Sequence, residues 1–218
     1  MTSDLSLRAL FGTTGSVIAQ QPWFFTATTA VGAAPGLIAV VVNPNGDGYA
    51  LILLSTLLGL YLQLLATFRT IELLGAMPAD YQRAHATEKR FPAAFLGSLL
   101  TTLTILAGLA ALVVPGLLLL ALWSLWLPAL AAERLGVLGA MRRSWRLVRP
   151  RIGSVLILAL LAAGAFVTLV VACVAGYFLL AEGQWWIADV LFELLFTAGL
   201  IASAVLWAVT YVQLLDEA

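Results

Sequence analysis

The sequence predicts an all-α, polytopic membrane helix bundle: six transmembrane helices plus two interfacial amphipathic helices. Composition is the first reason. The 218 residues are 62% hydrophobic and 10% charged, with mean hydropathy +1.04. A soluble domain carries about 25% charged residues, so a bilayer is the natural solvent for this chain. Spacing is the second reason. Apolar stretches near the roughly 20 residues that cross a hydrocarbon core alternate with short polar loops. The third is the placement of the eleven Lys and Arg residues. Arg8 precedes the first stretch. Arg69, Arg83, Lys89 and Arg90 lie between the second and third. Arg134, Arg142, Arg143, Arg146, Arg149 and Arg151 lie between the fourth and fifth, and the other three loops have none. Random placement would put all eleven on one side about once in a thousand tries, and basic residues near spans stay cytoplasmic. Both termini are therefore expected in the cytoplasm.

One integral membrane domain is expected over 1–218. Residues 1–21 read as an interfacial N-terminal helix. Ser3 or Asp4 can cap it, Leu5, Leu7, Leu10, Phe11, Val17 and Ile18 supply apolar contacts, and Gly12 and Gly15 weaken it. The segment is too polar for a signal peptide, so the first span is expected to direct insertion. Spans one and two occupy 22–68. Pro22 suits a helix start. Gly32 and Gly36 have the small-xxx-small spacing that lets another helix approach, and Pro35 between them predicts a kink. Asn43 to Gly48 is dense in turn formers, and Tyr49 to Phe68 forms span two. Residues 69–92 read as a cytoplasmic segment. It is broken at Met77-Pro78-Ala79-Asp80, with a short helix over Asp80 to Lys89 and Phe91-Pro92 at the start of the next span.

Spans three and four occupy 93–132. Pro115-Gly116 is read as a minimal turn joining Ala93–Val114 to Leu117–Ala132 in a tight hairpin. Span four carries Pro128, with Trp123 and Trp126 placed at an interface or packed on neighbours. Residues 133–151 form the basic interfacial helix. At about 100° per residue, Arg142, Arg143, Arg146 and Arg149 share one face, and Val137, Met141, Ser144, Trp145, Leu147 and Val148 share the other. Such a helix lies flat on the inner leaflet, arginines at the phosphates and apolar face in the acyl boundary. Pro150 ends it. Residues 152–218 hold spans five and six and a short tail. Ile152–Leu180 and Ile187–Leu215 are long enough to demand tilt or protrusion, and Trp185 and Trp186 read as interface anchors.

Pro115-Gly116, Pro128, Glu133 and the string from Gly136 to Arg149 resemble a known membrane domain. It is the one associated with glycerophosphoryl diester phosphodiesterases and shared by related bacterial six-span proteins. Its hallmark is a Glu at a span end, then a G-V-x-x-A-L-x-R-S-W-x-L-x-R-G-R string. Met141 replaces the usual Leu here, and Pro150 stands where Gly is common. The resemblance covers most of the chain, because the N-terminal helix and the Met77-Pro78 segment also fit. It implies a bacterial inner-membrane protein.

Enzymatic phosphodiester hydrolysis is not expected. It needs metal ligands and a general acid and base, and the chain has a single histidine, His85, in a segment read as a polar loop. No cofactor motif and no zinc cluster stands out. Cys173 reads as a small apolar packing residue. Thr101, Thr102 and Thr104 can bond back to helix carbonyls and so do not establish a polar pore.

Arg142, Arg143, Arg146, Arg149 and Arg151 are the candidate lipid-headgroup ligands, since arginine matches phosphate bidentately. A topology anchor and a docking face for a protein partner, or for a second copy in a homo-oligomer, remain open beside that reading. Nucleic acid is excluded as a partner by the few basic residues and their place against the membrane. Glu133 and Arg134, at the end of span four, read as a local ion pair or cap, or Glu133 holds Arg69 or an arginine of the interfacial helix. Asp189 and Glu193 lie one turn apart on one face of span six. An intramembrane carboxylate is costly. Glu193 therefore reads as a structural hydrogen-bond acceptor or as an ion or proton site, with Tyr177, Ser55 and Thr56 as candidate partners. The expected role is a non-enzymatic, lipid-interacting scaffold or accessory subunit, with a permease or its membrane subunit as the alternative.

Overall fold

Prolines and glycines set where the helices start and stop. The computed structural model describes residues 7–42, 49–77, 83–133, 135–179 and 185–216, and no strand occurs among them. Helix α1 spans Leu7–Gln20 and α2 Pro22–Val42, with Pro22 at the first helical position. Helix α3 spans Tyr49–Leu73 and runs past the expected end of span two. It closes on Gly75 at φ 70°, where the N–H of Ala76 reaches the carbonyl of Ile71 at 3.1 Å and that of Gly75 reaches Glu72 at 2.9 Å. This left-handed closure is open to glycine at no steric cost. The Asn43–Gly48 turn, the Pro78–Asp80 break and Glu182 lie outside the described residues.

Two expectations about α4 and α5 are corrected. Helix α4 spans Arg83–Ala111 without interruption, so Pro92 sits inside it instead of starting it, and His85 lies in its first turn. The turn to α5 (Val113–Leu122) is the single residue Leu112, extended at φ −161°, ψ 137°. Pro115 and Gly116 belong to α5 itself. Proline costs nothing in a first turn, whose N–H groups have no helical partner. Gly116 allows the close approach: a Cβ there would stand 2.5 Å from Leu109.

Span four is also corrected. It is two helices, α5 and α6 (Trp126–Ala132), separated by a turn at 123–125. Then come α7 (Val137–Val148), a 3-10 turn at Arg149–Arg151, α8 (Ile152–Leu179) and α9 (Trp185–Asp216). Pro150 does not stop the chain from continuing helically; it tightens the turn into α8.

Helix α9 is the hub, packed against α1, α2, α3 and α8. Many of the fully buried large side chains lie on the C-terminal halves of α3 and α9 and on α1, α6 and α7. Phe68, Ile71, Leu130, Val148, Tyr211 and Leu214 are among them. Elsewhere the long helices expose Leu53, Leu103, Leu106, Val114, Val171 and Leu195, as side chains facing an apolar solvent do. Five helical stretches are long and apolar enough to cross a membrane: Leu53–Leu73, Lys89–Ala111, Val113–Ala132, Val137–Gly176 and Trp186–Asp216.

Candidate functional site

The break in span four follows from Pro128. In a continuous helix its ring would meet the carbonyl four residues back, that of Ser124. The helix instead stops at Leu122 and restarts at Trp126, which leaves Pro128 in the first turn of α6. The turn frees backbone groups that need partners. Ser144 of α7 supplies them. It is 0% exposed, donates to the carbonyl of Leu122 at 2.7 Å and accepts from the N–H of Leu125 at 3.2 Å. Helical spacing puts Ser144 on the apolar face of α7, and nothing in the pattern marks this role.

Where α6 ends, Glu133 joins three helices. Its Oε1 accepts from Nε of Arg143 on α7 at 2.7 Å and from the hydroxyl of Tyr211 on α9 at 2.5 Å. Arg90 of α4 donates to the carbonyl of Leu135 at 2.7 Å. Glu133 therefore holds an arginine of α7 and not Arg69, which bonds Gln21 and Glu72 between α1, α2 and α3. Arg134 lies outside the described residues.

The apolar face of α7 meets protein instead of acyl chains. Ala140, Met141, Ser144, Leu147 and Val148 are buried, and α7 packs chiefly on α6. Trp145, expected on that face, is 41% exposed. Arg143 is drawn inward by Glu133, while Arg142, Arg146 and Arg149 stay exposed and Arg151 is half-buried. Arg142 and Arg146 share a groove of about 570 Å³ with Trp123, Leu138, Met141 and Trp145. The five candidate arginines thus have different surroundings: one ties helices together, and two flank an amphipathic groove.

Behind Trp123 lies a second cavity, of about 210 Å³, between α3, α4, the broken segment and α9. Gln63, Thr67, Ser98, Thr101, Thr102 and Ser124 give it polar walls, and Trp123, Trp126 and Trp207 give it aromatic ones. Of the threonines expected to bond back along their helix, Thr104 does so at 2.8 Å. Thr101 does not: its buried hydroxyl has no partner among the described residues.

Glu193 accepts from Ser55 Oγ at 2.8 Å, one of the three candidate partners; the side chain of Tyr177 lies outside the described residues. The spacing of Gly32 and Gly36 predicts that another helix approaches, and that helix is α9. A Cβ on Gly36 would stand 2.2 Å from the Glu193 carboxyl. Gly36→Val is accordingly expected to destabilise the fold by about 1–3 kcal/mol, the usual cost of overpacking. Thermal unfolding in detergent checks this, and wild-type stability would contradict the described α2–α9 packing. Asp189, on the same helix, is half-buried, and Cys173 donates to the carbonyl of Ala188 at 3.7 Å. Among the described residues, no three His, Cys, Asp or Glu side chains form a group able to hold a metal ion.

These features define an all-helical bundle with helices of membrane-crossing length and composition, one broken and pinned by a neighbour. Residues 86–215 match DUF7847, a domain of unknown function. That is well over half the chain, which therefore belongs to this family. The match takes in the Glu133 junction, the arginine groove and Glu193, and it begins after α3. No curated protein and no solved structure matches the chain.

Proposed function

We propose that the protein is a non-enzymatic scaffold or accessory subunit of the bacterial inner membrane that binds anionic phospholipid. The observation that carries this is the groove holding Arg142 and Arg146 between Trp123 and Trp145. Its guanidinium groups suit a headgroup phosphate, and its apolar and indole walls suit the upper acyl chain. A six-span topology with both termini cytoplasmic places this groove at the inner leaflet. Helix α2 supplies the sixth crossing. Its 21 residues span about 30 Å at 1.5 Å each. In this topology α1 lies at the inner surface. The resemblance to the phosphodiesterase-associated membrane domain points the same way, since Glu133 and the Arg143-Ser144-Trp145 string are what that domain features.

Native mass spectrometry of gently extracted protein tests this reading. Each basic residue at an anionic surface contributes about 1 kcal/mol. Arg142→Gln with Arg146→Gln should therefore weaken retention of phosphatidylglycerol roughly thirty-fold, with little change in unfolding temperature. Equal retention by both forms would refute headgroup binding in the groove. A second reading, a permease or the membrane subunit of one, is favoured by the polar cavity beside a broken helix, an arrangement suited to a solute site.

A further inference from the structure

We infer that the cavity behind Trp123 binds a small uncharged polyol. The proposal rests on the cavity alone, independent of whether the arginine groove takes lipid. Among the described residues, its walls contain no Asp, Glu, Lys, Arg or His. An ion among these uncharged walls would have no counter-charge, so the occupant is neutral. A hydrocarbon is equally unsuited, because it would leave the polar wall unpaired.

The hydrogen-bonding pattern is specific. Thr67 and Ser124 spend their hydroxyl protons on backbone carbonyls, those of Gln63 and Ala121, and so face the cavity as acceptors. Thr101 belongs to the cavity wall at 8% exposed; its hydroxyl oxygen is itself shut off from the cavity space and is unpartnered among the described residues, so a turn of the side chain is what would bring it to a ligand. The Gln63 side chain adds an amide with both a donor and an acceptor. Hydroxyl groups on a ligand, which donate and accept, meet all of these. The indole walls of Trp126 and Trp207 offer apolar faces to the C–H groups that alternate with hydroxyls in a polyol. The volume, about 210 Å³, equals that of about seven waters at ~30 Å³ each. That is room for a tetritol or a cyclitol.

Saturation-transfer NMR on the full chain in nanodiscs, with erythritol and myo-inositol as probes, tests the assignment. Wild type should give a saturable signal with at least one of the two. Gln63→Leu and Thr101→Val should each weaken it about tenfold or more. Thr101→Val should fold at least as well as wild type, because it removes an unpaired buried hydroxyl. Arg142→Gln with Arg146→Gln should leave polyol binding unchanged, which separates this site from the lipid groove. Absence of a saturable signal in wild type, or equal signals in the cavity variants, would overturn the proposal and leave the cavity to water.

Discussion

Glu133→Ala is expected to destabilise the folded protein by about 3 kcal/mol. The carboxylate accepts from Arg143 and from Tyr211, and α7 and α9 meet through it. Hydrogen bonds to a charged group contribute about 1.5–3 kcal/mol each, and a partner left buried adds its desolvation cost. The ion pair is about one-quarter exposed on each side, 27% for Arg143 and 26% for Glu133. Its attraction is therefore partly screened, and the total stays below what a fully buried pair would lose. Tyr211 is 0% exposed, so its hydroxyl bears the larger penalty. Tyr211→Phe removes that hydroxyl together with its need for a partner, and should cost only about 1 kcal/mol. The double variant Glu133→Ala with Arg143→Ala should fall short of the sum of the singles, because both remove one contact. Thermal and denaturant unfolding in the same detergent provide these numbers. Wild-type stability for Glu133→Ala would refute the junction.

Much of the helical frame is legible in the residues, and the reasons differ by element. Helix α2 begins at Pro22 and ends at Val42 as read, because a proline and an Asn-Pro-Asn-Gly run bound one apolar stretch. Helices α8 and α9 fall within two residues of their expected limits, since long apolar runs leave little choice. Prolines are where the reading fails. A proline in a first turn and a proline in a helix interior look alike in sequence. Pro92 looks like a helix start and lies inside α4, while Pro115 looks like a turn and lies inside α5. Residues 117–132 are nearly all apolar, so periodicity is silent about the break; only Pro128 hints at it, and its steric effect falls four residues upstream.

The site is legible in composition and illegible in pairing. Helical spacing separates the arginines of α7 from its apolar face, and the buried set Met141, Ser144, Leu147 and Val148 follows that division. Which arginine turns inward depends on Glu133, which in turn meets Tyr211 across 78 residues of sequence. No local pattern encodes a contact at that separation. The polar cavity is hidden for the same reason: Gln63 comes from α3, Ser98 and Thr101 from α4 and Ser124 from the turn in span four, and each alone reads as an ordinary polar residue of an apolar stretch.

Ser144→Ala is expected to cost about 2–4 kcal/mol, a large effect for the loss of one oxygen. The side chain is fully buried and holds both a carbonyl and an N–H of the broken segment. Both belong to a turn in apolar surroundings, and each orphaned group costs about 1–3 kcal/mol. Ser144→Thr keeps the hydroxyl and should recover part of the loss, offset by the extra methyl in a closed space. The consequence is local as well as global. Trp123 and Ser124 belong to the turn, and Trp126 follows it directly. All three line the polar cavity, and Trp123 also lines the arginine groove. Loosening the turn should therefore raise amide exchange at 123–126 and disturb both sites, even though Ser144 lines neither. Hydrogen–deuterium exchange read beside unfolding temperature makes the distinction. A stability loss without faster exchange at 123–126 would mean that Ser144 serves only as core packing. Faster exchange there, with weaker lipid and polyol retention in the same variant, would identify the broken helix as the element that couples groove to cavity.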